Sequence, residues 1–126
     1  AGGALWGVWV FVGLIYQGHM LPPPNPDLRL EYRFEESGRN TLSYHRRDES
    51  GFCEREADYQ WSPPLLYQKV KKTHPENAAW CGEDRDMQVG FESWTRAWID
   101  DNGRFHLALS MGEEEVIYLW DKVIEP

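Results

Sequence analysis

Apolar and polar side chains alternate along most of this chain with a period of two, in short runs divided by clusters of Gly, Pro, Asn, Asp and Ser. That is the pattern of strands joined by turns. Eight runs read as strands. The first, Leu5 to Tyr16, is apolar on both faces, as in a strand covered on its outer side too. Gln17 to Pro26 follows as a loop, because Pro22, Pro23, Pro24 and Pro26 lack amide donors and cannot continue a ladder. The second strand, Asp27 to Glu35, sets Leu28, Leu30, Tyr32 and Phe34 against Arg29, Glu31, Arg33 and Glu35, one face for a core and one for water.

Ser37-Gly38 turns the chain into the third strand, Asn40 to Arg47, with Leu42 and Tyr44 on one face. Pairing Asp48 with Gly51 leads to the fourth, Phe52 to Trp61, and sets Tyr44 opposite Arg55, Leu42 opposite Ala57 and Arg46 opposite Cys53. This register gathers Leu42, Ala57 and Tyr59 inside, and it brings Arg46 and Arg55 inside with them. Ser62-Pro63-Pro64 breaks into the fifth strand, Leu65 to Thr73, and a long loop runs from His74 to about Asp86. The sixth strand, Met87 to Ile99, ends at Asp101-Asn102-Gly103, where Asn-Gly predicts a hairpin that sets Trp98 opposite Leu107 and Arg96 opposite Leu109. Met111-Gly112-Glu113-Glu114 closes the last hairpin, with Leu109 against Val116, Leu107 against Tyr118 and Phe105 against Trp120. Eight strands joined mostly by hairpins predict an all-β, antiparallel up-and-down barrel, since closure removes the sheet's edges. An open sheet or a sandwich is the competing arrangement. One domain spans residues 1–126, a length that buries a core without a second module.

Composition narrows the function classes. Aromatics make up 14% of the chain, with 7 Trp, which suits pleated surfaces better than a helical bundle. A formal net charge of -8 argues against a nucleic-acid partner, which needs a basic footprint. The Leu5 to Tyr16 run is too short for a membrane-spanning helix, and membrane contact of other kinds stays open. The chain starts without a charged leader, as a processed mature form does or a segment from which a leader is omitted. Cys53 and Cys81 permit one disulfide, and equally a reduced pair. The four histidines lack metal-ligand spacing, and no Gly-rich phosphate loop, serine elbow or Cys-His nucleophile pattern occurs. No metal, cofactor or catalytic set is predicted.

Gly7-Val8-Trp9 on the first strand, followed by a long loop, resembles the GxW signature and lid loop of the calycins, most nearly of lipocalin-like proteins. A Thr-Asp-Tyr before the seventh strand is absent, and Lys122 stands near the end of the eighth where family members often carry Arg. The resemblance implies an eight-stranded barrel plugged at one end by Trp9, with Lys122 or Arg104 across its ring. It implies a mouth bearing the Gln17–Pro26 loop, the Asp48–Gly51 turn, the His74–Asp86 loop and the Met111–Glu114 turn. Cys53 and Cys81 then arrive at that mouth, which implies a disulfide and with it an exported protein, secreted or periplasmic.

The reading that follows is a non-enzymatic carrier of a small hydrophobic or amphipathic molecule with an acidic head. Leu30, Tyr32, Leu42, Trp94, Leu107 and Tyr118 would enclose the apolar body, while Arg46, Arg55 and Tyr44 orient the head. Alternatively those arginines pair with internal acids such as Glu92, or point to water. Arg96 lies either in the ligand wall or stacked between Trp94 and Trp98. Tyr16, Met20, Trp80, Met87 and Met111 would form an adaptable rim, or else ordinary packing. A second reading is a protein-interaction module that fills the barrel with its own side chains and covers Trp6, Val8, Val10 and Val12 of the first strand with a second copy or another protein. A third casts Arg55, Tyr44 and Glu92 as the site of a small-acid lyase or isomerase.

Overall fold

In a computed structural model, residues 5–22, 29–45, 51–111 and 114–123 are described. The expected Arg46, most of the proline loop and the centres of the two turns at 46–50 and 112–113 lie outside them. The strands are β1 (Gly7–Tyr16), β2 (His19–Leu21), β3 (Arg29–Phe34), β4 (Arg39–His45), β5 (Cys53–Ser62), β6 (Leu65–Thr73), β7 (Glu92–Ile99), β8 (Phe105–Met111) and β9 (Glu114–Lys122).

β1 closes the sheet. Its first half pairs with β3 through Gly7↔Phe34 to Val10↔Glu31, and Trp9 to Tyr16 pair along its other edge with β9. The ring β1-β3-β4-β5-β6-β7-β8-β9 is antiparallel throughout, an eight-stranded barrel with no edge left in its lower half. β2 is an addition inside the predicted proline loop. Gln17 (φ 49°) and Gly18 (φ 78°) form a tight left-handed turn, and His19–Leu21 folds back onto Leu14–Tyr16.

The closed end is packed with rings. Trp9 donates its indole N–H to the Leu5 carbonyl at 2.9 Å, and Lys122 Nζ lies 5.6 Å from the Trp9 ring centroid, the cation that the resemblance implied. Phe105 sits 5.5 Å from Trp9, and Phe34 meets Tyr59 edge-on at 5.1 Å; pairs of this kind add about 0.5–1.5 kcal/mol beyond the area they bury. Leu66, Ala97 and Trp120 complete this core.

Two registers differ from expectation. Across the β4–β5 turn Tyr44 pairs with Cys53, Leu42 with Arg55 and Asn40 with Ala57. The connection from His45 to Cys53 is longer than a two-residue turn, and the shift of two keeps every face, so Arg55 still points inward. The β7–β8 difference has larger consequences. Ala97 pairs with Leu107, Trp98 with His106 and Ile99 with Phe105, one residue away from the register an Asn-Gly two-residue turn would set. Asp100 is the cause: its Oδ1 accepts the amides of Asn102 (2.9 Å) and Arg104 (3.0 Å), which hold the carboxyl below its ordinary pKa. The loop therefore has three residues, with Gly103 at φ 84° in the left-handed position that follows a type I turn. A slip of one exchanges the faces of a strand. Trp94, Arg96 and Trp98 consequently face outward, and Ser93, Thr95, Ala97 and Ile99 face in. β7 is also shorter than predicted, because the chain turns at Gly90 (φ 93°) and Met87 belongs to a 3-10 turn.

Gly7 shows why the signature begins with glycine. Its φ is +127°, and a Cβ there would lie 2.7 Å from Lys122 Cε. Gly7→Ala should cost about 1–3 kcal/mol through backbone strain, read as a lowered urea midpoint. Adding Lys122→Ala to remove the steric contact should restore only part of the loss, because the positive φ remains.

Candidate ligand-binding site

Above the aromatic plug the barrel is hollow. A cavity of about 440 Å³ is lined by Leu30, Tyr32, Leu42, Tyr44, Arg55, Val70, Leu107, Leu109, Tyr118 and Trp120, with Ser93 and Thr95 on the β7 wall. Those two small residues make the space. The expected register would have filled it with Trp94, Arg96 and Trp98.

The floor is polar and charged. Arg55 is 4% exposed, and its guanidinium donates to Asn40 Oδ1 (2.5 Å), Tyr32 Oη (2.9 Å) and Gln68 Oε1 (3.1 Å). Gln68 Oε1 also accepts from the Tyr32 hydroxyl at 2.6 Å and from Asn40 Nδ2 at 2.8 Å. Three neutral dipoles thus solvate a cation that is always protonated. No carboxylate among the described residues hydrogen-bonds it. Arg55 Nε has no partner, and neither does the indole N–H of Trp120, which is 2% exposed and lines the same cavity. Buried donors without acceptors are costly, and both belong to the wall of an apolar chamber.

The mouth is covered by residues 74–91. Asn77 staples this segment to β5, accepting the Glu54 amide at 2.8 Å and donating to the Glu54 carbonyl at 3.0 Å. Cys53 and Cys81 form the disulfide implied above, Cα atoms 5.2 Å apart. Gln88 Nε2 then donates to the Cys81 and Asp84 carbonyls at 2.9 and 3.0 Å, and Met87 is buried against Tyr44, Cys53 and Cys81. The segment also delivers Asp84, Asp86 and Phe91 to the cavity. Tyr44 donates to Asp84 Oδ2 at 2.7 Å.

Of the residues expected at a site, Leu30, Tyr32, Leu42, Tyr44, Arg55, Leu107 and Tyr118 line the cavity together. Trp94 does not: it is 63% exposed on the outer wall beside Tyr67. Arg96 is likewise outside, bonded to Glu115 at 2.5 Å and stacked over Trp98 at 4.9 Å, so its aromatic partner was foreseen on the wrong face. Glu92, expected inside as a possible partner for arginine, is exposed and accepts from the Tyr67 hydroxyl at 2.6 Å. Met20 is exposed on β2, and Tyr16 hydrogen-bonds Glu114 on the exposed rim. Trp80 packs against Tyr44 at 5.8 Å in the lid cluster, not in the cavity wall. Asn40 and Gln68 were missed, although alternation with Leu42 and with Leu66 and Val70 places each on an inner face. Among the described residues, no three His, Cys, Asp or Glu side chains converge to hold a metal ion.

No family model and no curated protein matches the sequence. The structure is similar to the crystal structure of a lipocalin-like protein from Bacteroides uniformis ATCC 8492, with a TM-score of 0.62 at 15% identity, covering 96% of this chain and 100% of that one. The fold is lipocalin-like. At that identity the likeness shows the fold alone.

In a lipocalin-like barrel whose upper half is unfilled, the disulfide carries the lid. Cys53→Ser with Cys81→Ser should lower stability by about 3–4 kcal/mol in the chain-entropy model for a separation of 28 residues, measured by urea unfolding. Hydrogen exchange should accelerate across 79–91 more than across β1 and β9.

Proposed function

We propose that this chain is a non-catalytic carrier that takes a small hydrophobic or amphipathic molecule with an acidic head into the barrel. The observation that carries this reading is the floor of the cavity: a buried guanidinium that no carboxylate among the described residues hydrogen-bonds, its Nε unused, in the wall of a largely apolar chamber of about 440 Å³. Such a chamber lies within the range of small-molecule sites, apolar walls with a few converging polar groups. A ligand carboxylate brings an acceptor for the unused donor and a directly bonded negative charge in one group. Leu30, Leu42, Leu107, Leu109 and Tyr118 would cover its apolar body. The disulfide supports an oxidising compartment, hence a secreted or periplasmic setting.

Displacement of a fluorescent fatty acid, together with native mass spectrometry of the purified protein, tests the reading. Dodecanoate should displace the probe, and Arg55→Leu should weaken it by about 10- to 100-fold, the loss of a charge-assisted bond. Dodecanol should be little affected. Arg55→Lys, which keeps the charge, should give an intermediate affinity and guards against a folding defect in the leucine variant. Empty protein that binds neither probe nor dodecanoate would overturn the proposal.

A further inference from the structure

The inner face of β9 carries polar groups that the protein leaves without acceptors. Trp120 is 2% exposed and its indole N–H meets no acceptor. The Tyr32 and Phe11 rings beside it, at 5.2 and 5.7 Å and both tilted by 58°, offer at most the weak acceptor of a π face. Two residues earlier on the same face, Tyr118 lines the chamber. Among the described residues its hydroxyl has no hydrogen-bond partner, and burial alone raises its pKa, so it stays protonated and able to donate at neutral pH. The strands on either side bring no remedy: Phe105 and Leu107 of β8 and Phe11 and Leu14 of β1 stand opposite these two residues, and all four are apolar.

β5 and β9 are four places apart in the ring of eight, so Arg55 reaches in from the wall opposite these two donors. Tyr32 adjoins both groups, its ring centroid 5.4 Å from the Arg55 guanidinium carbon and 5.2 Å from the Trp120 ring. One small molecule can therefore span them. A plain fatty acid with its head on Arg55 lays methylenes over the Trp120 N–H and the Tyr118 hydroxyl, completing their desolvation and giving no bond in return. A carbonyl oxygen in the chain answers both, because it has two lone pairs and brings no hydrogen of its own. A hydroxyl suits the place less well, since its hydrogen needs an acceptor and Trp120 can only donate.

We infer that the ligand is an oxo acid: a carboxylate on Arg55 and, within its apolar body, a carbonyl oxygen that accepts from Trp120 and Tyr118. The inference rests on the carrier reading and names the ligand class for it.

Dodecanoate, its 2-, 4- and 6-oxo derivatives and the matching hydroxy acids, titrated against the full chain by calorimetry at neutral pH, separate the two. At least one oxo acid should bind about 3- to 10-fold tighter than dodecanoate, the worth of a neutral hydrogen bond gained, and tighter than any of the hydroxy acids. In nitrogen-15 spectra of the wild type, the Trp120 indole N–H resonance should move downfield with that oxo acid and not with dodecanoate. Tyr118→Phe, which removes only a hydroxyl, should lower the ratio of oxo-acid to dodecanoate affinity. If dodecanoate binds and no oxo acid binds tighter, the oxo-acid inference fails and the carrier reading stands. A hydroxy acid that equals the best oxo acid, an indole resonance that dodecanoate moves as far, or a gain that leaves the indole unmoved also overturns it. If no member of the set binds, both fail.

Discussion

The buried charge of Arg55 is the constraint around which the rest of this barrel is arranged. Taking a guanidinium out of water costs several kcal/mol, and here the hydrogen bonds that offset the cost come from neutral dipoles. Those dipoles come from Tyr32 on β3, Asn40 on β4 and Gln68 on β6, while Arg55 itself is on β5. Four adjacent strands are thus tied at one level. A slip between any two of them would leave an amide or the guanidinium without its partner, so the cluster specifies register where hydrophobic alternation alone tolerates shifts of two. It also divides the interior. Below it Trp9, Phe34, Tyr59 and Phe105 fill the space; above it the walls stand apart.

How much of this was legible in the sequence depends on whether a local rule had a competitor. Alternation in β3, β8 and β9 placed Tyr32, Phe34, Leu107 and Tyr118 inside, because each strand has one apolar face and one polar face. β7 offers the opposite problem. Its outer residues are Trp94, Arg96 and Trp98 and its inner ones are Ser93, Thr95, Ala97 and Ile99, so ranking by hydrophobicity selects the wrong side. The deciding residue is Asp100, whose carboxylate organises a three-residue turn in place of the two-residue turn that Asn-Gly favours. A single side chain at a hairpin therefore determines whether the barrel is filled or hollow.

The lid was legible only as a loop at the mouth, for a different reason. Glu83-Asp84-Arg85-Asp86 has the composition of a solvated loop, and nothing in its spacing reveals that Asp84 meets Tyr44 or that Met87 is buried. Those contacts follow from long-range staples: the disulfide across 28 residues and the paired bonds of Asn77 with Glu54. Asn40 and Gln68 are a milder omission. Their inward positions follow from period two, but their role appears only when Arg55 is placed between them.

The two halves of the molecule are consequently stabilised by different physics. The closed half relies on close packing, in which each ring contributes buried area and an oriented aromatic contact. The open half has little core to collapse onto, and a hollow lined by Ser93 and Thr95 forfeits the dispersion contacts that larger side chains would make. Covalent and hydrogen-bonded staples hold the lid there, so its position does not depend on the cavity being filled. This separation lets the walls keep their shape around empty space, with the unused donors of Arg55 and Trp120 already in place. A ligand that meets those donors gains the bonds without the cost of assembling the site, which is the advantage a preorganised chamber has over one that must open before it can bind.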